Sequence, residues 1–111
     1  MGNNSAVESI IQELRRGLIV LAVLAHLRQE QYGYSILKEL ADLGLEVDQG
    51  TLYPLLRRLE AQGLLVSTWR LEEARPRRYY AISEAGRQAL PVLKDEWARM
   101  SKTMERVMRE E

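Results

Sequence analysis

Residues 50–80 constrain this chain more than any other stretch. A leucine-backed segment, GTLYPLLRRLEAQGLL, carries a basic pair and runs directly towards an arginine-rich hairpin closing in RPRRYY. Leu52, Leu55, Leu56 and Leu59 recur at i, i+3, i+4 and i+7, the spacing that lays one apolar stripe along a helix. Gln49, Thr51, Tyr53, Pro54, Arg57 and Arg58 are then left to face outward. Asp48 or Gly50 supplies the N-terminal cap and Gly63 the stop, giving a helix over residues 49–62. Pro54 falls within or just after the first turn, where a missing N–H costs little.

The next segment, residues 64–71, is rich in Leu, Val, Thr and Trp, and residues 77–83 follow after a charged loop over 72–74. These read as two strands of a hairpin. Strand alternation places Tyr80 and Ile82 on one face and Arg77 and Tyr79 on the other; Arg78 shares the side of Tyr80 but is expected at the tip, past the core. A helix that fits a major groove, beside a hairpin that reaches phosphate, is the outline of a winged helix-turn-helix. The fold class expected is mainly α (α+β), with a two-stranded wing.

The flanking helices complete that outline. Ser5-Ala-Val-Glu8 has the form of a capping box, after which Ile10, Ile11, Leu14, Leu18, Leu21 and Ala25 repeat at helical spacing to about Leu27. The middle of this helix, GLIVLAVL, is apolar nearly all round and so belongs between other elements. Gly33 and Tyr34 open a second helix with Ile36, Leu37 and Leu40 inward, and Gly44 ends it. Tyr34 and Lys38 near its start are candidates for contact with a DNA backbone. The last helix begins near Ser83 and carries Leu90, Leu93, Trp97, Met100, Met104 and Val107 at alternating spacings of three and four. That spacing is a coiled-coil seam, so dimerisation through this helix is expected. Residues 1–83 are thus expected to form a DNA-binding domain, and residues 84–111 a dimerisation helix packed with the N-terminal one.

Composition narrows the function classes. The chain has 111 residues, no cysteine and a single histidine, His26, which removes disulfides, thiol nucleophiles and thiolate metal sites and makes a zinc site improbable. No cofactor is expected, and His26 reads as a helix-surface residue without chemistry. Scattered carboxylates with one histidine offer no converging nucleophile and base, which argues against an enzyme. The longest apolar run, residues 17–25, is well short of the ~20 residues of a membrane span, and the opening MGNNSAVES lacks a signal pattern; a cytoplasmic location and no membrane partner are expected. Sixteen basic and sixteen acidic residues balance, yet Arg57, Arg58, Arg75, Arg77 and Arg78 gather around the helix and hairpin. Asp95, Glu96, Glu110 and Glu111 sit in the C-terminal third, implying a basic face and an acidic end.

YGYSILKEL, GTLYPLLRRLEAQGLL and RPRRYYAISEAGR together resemble the PadR (phenolic-acid-decarboxylase regulator) family of bacterial transcription regulators, over residues 18–104, and the single C-terminal helix resembles its short subfamily. The resemblance implies a homodimeric repressor on an inverted-repeat, double-stranded DNA operator, with Gln49, Thr51, Tyr53, Pro54 and Arg57 of the helix and Arg75, Arg77 and Arg78 of the wing (residues 70–80) as DNA contacts. STWRLEEARPRRYYAIS and DEWARM are similar to a lactococcal multidrug-resistance regulator of that subfamily, in which paired tryptophans sandwich flat aromatic drugs. Trp97 matches that tryptophan, and Leu14, Leu18, Leu93 and Met100 would line the same interface around a planar aromatic or hydrophobic small molecule.

Plainer readings stand beside these. Arg57 and Arg58 can be simple solvated surface residues, and Tyr53 is large enough to pack locally. Trp97 can be either a buried dimer anchor or a stacking platform. A small-molecule-binding or protein-interaction dimer with this fold but no sequence-specific DNA binding is the alternative; it would tolerate loss of Arg77 and Arg78.

Overall fold

The computed structural model describes residues 2–109, with side-chain surroundings from Asn4 onward; Glu110 and Glu111 of the expected acidic end lie outside the described residues. Helix α1 spans Gly2–His26, strand β1 Gln31–Tyr32, α2 Gly33–Asp42 and α3 Gln49–Ala61; strands β2 Leu65–Glu72 and β3 Arg75–Ile82 form the hairpin, and α4 runs Glu84–Met108. The capping box expected at Ser5 is absent, because the chain is already helical from Gly2 and Ser5 lies inside α1.

The apolar periodicities converge on one core. Val23 and Leu24 of α1 and Leu27 just beyond it meet Ile36 and Leu40 of α2, the α3 leucines, and Leu65, Tyr80 and Ile82 towards the base of the hairpin. A fully enclosed leucine contributes about 1.5–3 kcal/mol, so the stripe on α3 is anchored by several such increments. The GLIVLAVL stretch divides at this boundary. From Ile19 onward it is covered, whereas Leu18 remains open.

Local chemistry sets the limits of α2 and α3. Asp48 caps α3, its Oδ1 accepting the Thr51 N–H at 2.7 Å. Both helices end in the same way. Gly44 (φ +99°) and Gly63 (φ +83°) take the left-handed conformation, and the next residues return their amides to the last turn, Leu45 to the Leu40 carbonyl at 2.8 Å and Leu64 to the Leu59 carbonyl at 2.9 Å. Pro54 sits inside α3, where the Gly50 carbonyl loses its partner amide.

The sheet has three antiparallel strands in the order β1-β3-β2, one more than the hairpin alone. The added strand is only Gln31–Tyr32, paired with Tyr80 and Tyr79. Its pairing partner is far away in the chain and so leaves no local alternation to read. The hairpin also closes more tightly than a loop over 72–74. Glu72 pairs with Arg75, so only Glu73 and Ala74 make the turn, both with positive φ (50° and 63°). That is the geometry of a two-residue type I′ connection, which ordinarily favours Asn and Gly.

Helix α4 starts at the hairpin's base. Ser83 Oγ accepts the Gly86 N–H at 3.0 Å and donates to the Gly63 carbonyl at 2.6 Å, pinning the helix start to the end of α3. Gly86 is buried, and a side chain there would collide with the Leu64 carbonyl and Ile82. Beyond Leu90 the helix leaves the core and lies along α1, most of its described residues exposed.

Candidate nucleic-acid interface and apolar groove

Burying Leu52, Leu55, Leu56 and Leu59 leaves Gln49, Thr51, Pro54, Arg57 and Arg58 exposed along the opposite side of α3. Tyr53 departs from the outward expectation. It is half-buried against α2 at Gly33, where no Cβ would fit beneath its ring. On α2, Tyr34 and Lys38 are exposed. Tyr34, Tyr53, Arg57, Arg77 and Trp69 line one shallow pocket of about 280 Å³ between α2, α3 and the wing.

The wing arginines differ from one another in their surroundings. Arg70 Nη2 lies 2.6 Å from Glu30, and Arg77 Nε lies 4.0 Å from Glu72 and stands over the Tyr32 ring, 4.6 Å from its centre. Arg78 is not at the tip: it turns inward, pairing with Glu60 of α3 at 2.9 Å and with Ser67 Oγ at 3.1 Å. The reason is register. Arg78 pairs with Trp69 in the body of the hairpin, on the face that meets α3. Arg57, Arg58 and Arg75, by contrast, meet no carboxylate among the described residues. Sequence counting therefore overstates the number of unpaired cations on this face.

Two tyrosines on β3 hold their protons more firmly than usual. The hydrogen bond from Tyr79 to Glu72 raises the Tyr79 pKa, with burial and the carboxylate charge adding to it. Burial raises that of Tyr80, which Arg78 partly offsets. His26, expected to be a bystander, bonds through Nε2 to Glu39 and so ties the end of α1 to α2.

A second feature lies between α1 and α4. Leu14, Leu18, Leu93, Trp97 and Met100 line one apolar groove of about 840 Å³ between α1 and α4, with Met104 further along it. The seam residues Leu93, Trp97, Met100, Met104 and Val107 are each more than a third exposed, as are Ile10, Ile11 and Leu14 on α1. A contiguous apolar strip of this length on a water-exposed surface marks an interaction face.

A three-helix core with a β-wing, an outward helix face bearing unpaired arginines, and a projecting apolar C-terminal helix define a winged-helix transcription regulator. The model of the PadR-like transcriptional regulator family matches residues 20–92, and the chain belongs to that family. It is 44% identical over 81 residues to a transcriptional regulator of Mycobacterium tuberculosis, covering 72% of this chain and 76% of that protein. The crystal structure of a PadR family transcriptional regulator from Eggerthella lenta is similar over 100% of this chain and 99% of that one, with a TM-score of 0.93 and 39% identity. A transcriptional regulator from Clostridium thermocellum is similar over 87% of this chain and 99% of that one (TM-score 0.79, 28% identity). These relatives are transcriptional regulators. Among the described residues no helix is long and apolar enough to cross a membrane.

Proposed function

We propose that the chain acts as a homodimeric repressor that reads an inverted-repeat operator through two copies of α3. The observation that carries this reading is the division of α3 into a buried leucine stripe and an exposed face of Gln49, Thr51, Pro54, Arg57 and Arg58. Gln and Thr hydrogen-bond base edges and Arg both bases and phosphates, so this face has the chemistry to read a major groove. Tyr53 borders the same face while packing on α2. Arg75 and Arg77 on the wing, and Tyr34 and Lys38 on α2, take the phosphates alongside.

The second subunit follows from the apolar strip on α1 and α4. Leu93, Trp97, Met100, Met104 and Val107 of two chains bury one another, whereas Leu90, expected in the same seam, packs against the chain's own core; the pairing sets two copies of residues 1–83 about one helical turn of DNA, ~34 Å, apart. The groove along this strip, about 840 Å³ in one chain, supports a site for a planar hydrophobic molecule beside Trp97. Such a molecule relieves repression if it binds better to a dimer whose reading heads are wrongly spaced.

A gel shift of the purified protein on the promoter fragment upstream of its own gene tests this reading, with and without planar aromatic compounds. A discrete complex that outlasts excess unrelated DNA and is dissolved by a planar aromatic is the expected result. Binding no tighter than to unrelated DNA would favour a dimer that uses the fold for small molecules or proteins alone.

A further inference from the structure

Glu60, Ser67 and Arg78 form a closed hydrogen-bonded ring between the reading helix and the wing. Arg78 Nη2 donates to Glu60 Oε1 at 2.9 Å, Arg78 Nε to Ser67 Oγ at 3.1 Å, and Ser67 Oγ to Glu60 Oε2 at 2.6 Å. Each member thus satisfies two others, and Glu60 uses both its oxygens. The guanidinium also lies over two rings, 5.6 Å from the centre of Trp69 and 5.4 Å from that of Tyr80. Glu60 belongs to the last turn of α3, whereas Ser67 and Arg78 stand on adjacent strands of the hairpin.

The ring's placement gives it mechanical meaning. Past Leu65 the β2 strand has little apolar burial: Val66, Thr68, Trp69, Arg70 and Leu71 are all exposed, while on β3 apolar burial extends to Tyr80, opposite Ser67. Hydrophobic contact therefore fixes the wing no further out than Tyr80. Further out, its attachments among the described residues are β1 with the Tyr32 ring against Tyr79 and Arg77, the Arg70–Glu30 pair and this ring. Of these, only the ring joins the wing to α3. A planar guanidinium held by a carboxylate, a hydroxyl and two rings has few orientations open to it, so it transmits position rather than charge alone.

We propose that Arg78 and Glu60 are positioning residues for operator recognition, the ring setting the angle of the wing against α3 so that wing and helix engage one site together. The proposal rests on the DNA-reading role of α3. It reverses the ordinary electrostatic expectation at Glu60. An acidic side chain beside DNA repels phosphate, and removing it should tighten binding; here removal releases the wing and weakens it.

The test uses the full-length protein with Glu60→Ala, Arg78→Ala, the double variant, and the conservative Glu60→Gln and Arg78→Lys. Binding is measured over a series of salt concentrations to a fluorescent duplex selected by the wild-type protein from a random library. Glu60→Ala and Arg78→Ala should each weaken binding by about tenfold, and the double variant little further, as expected for groups that act through one another. The salt slope should stay at the wild-type value, while Arg78→Lys recovers part of the loss. Tighter binding by Glu60→Ala would overturn the proposal. So would a slope shallower by about one in Arg78→Ala with Glu60→Ala unchanged, the signature of a direct phosphate contact. Hydrogen exchange in the free protein separates this idea from the DNA reading. Amides of β2 and β3 beyond Leu65 should exchange at least several-fold faster in both alanine variants while the α1 core stays protected, and unchanged wing exchange would refute the ring's role even if no duplex were selected.

Discussion

The Tyr79 hydroxyl donates to the Glu72 carboxylate across 2.5 Å, on the outer face of the wing where Arg77 also approaches the same carboxylate. Glu72 therefore accepts the Tyr79 hydroxyl and offsets the charge of Arg77, both groups of the kind a phosphate would take. In Glu72→Gln the carboxylate charge that offsets Arg77 is gone while an amide oxygen can still accept from Tyr79, so DNA affinity should rise by about threefold to tenfold at low salt, with the salt slope steeper by up to about one. Fluorescence anisotropy over a salt series reads both. Unchanged affinity would mean that the outer face of the wing does not meet phosphate.

The same contact makes a pH prediction. The Tyr79 pKa is raised, first by its hydrogen bond to Glu72, so its ionisation should begin above the ordinary tyrosine range. The sign follows from the raised folded-state value. This contact supports the fold below the unfolded tyrosine pKa of about 10 and is lost as pH climbs through the folded one. Ultraviolet titration of tyrosinate, with Tyr79→Phe to identify the component, should show that component moving to lower pH in Glu72→Gln. A component that stays in place would assign the shift to another cause.

Gly86 should tolerate no side chain. Its missing Cβ makes room for the Leu64 carbonyl, a backbone atom that cannot swing aside, and for Ile82 in the core. Gly86→Ala gains helix propensity but must push α4 off the hairpin's base, a net loss of about 1–3 kcal/mol in denaturant unfolding. Stability equal to or above wild type would show that this junction yields freely.

Trp97 and Trp69 must be separated to test the groove, since both are exposed. In a Trp69→Phe background, planar aromatic or cationic compounds should quench the remaining fluorescence, and Trp97→Ala should lose their binding while sedimenting as a dimer. Full-strength binding to Trp97→Ala, measured by calorimetry, would move the ligand elsewhere.

Features written locally in the chain were legible from it. The leucine stripe of α3, its Asp48 cap, the two glycine stops and the start of α4 at Ser83 each depend on residues a few positions apart, and the structure bears them out. What escaped depends on distant partners. Strand β1 exists only by pairing with Tyr79 and Tyr80; Tyr53 turns inward because Gly33 leaves room for its ring; Arg78 faces inward because register places it opposite Trp69 and within reach of Glu60. Ser5 misled in the other direction. Its capping pattern is complete, but the residues before it continue the helix. Gly86 carried no signal of its own beyond being a glycine near a helix start.

The central claim is that two outward α3 faces, held by one α1–α4 interface, read DNA as a twofold pair. Hydroxyl-radical footprinting on a duplex selected from a random library tests it most directly. The account predicts two protected patches about one helical turn, ~34 Å, apart, related by an inverted repeat and both erased by Arg57→Ala together with Thr51→Ala. A single protected patch without sequence symmetry, or a pair that survives those substitutions, would contradict it.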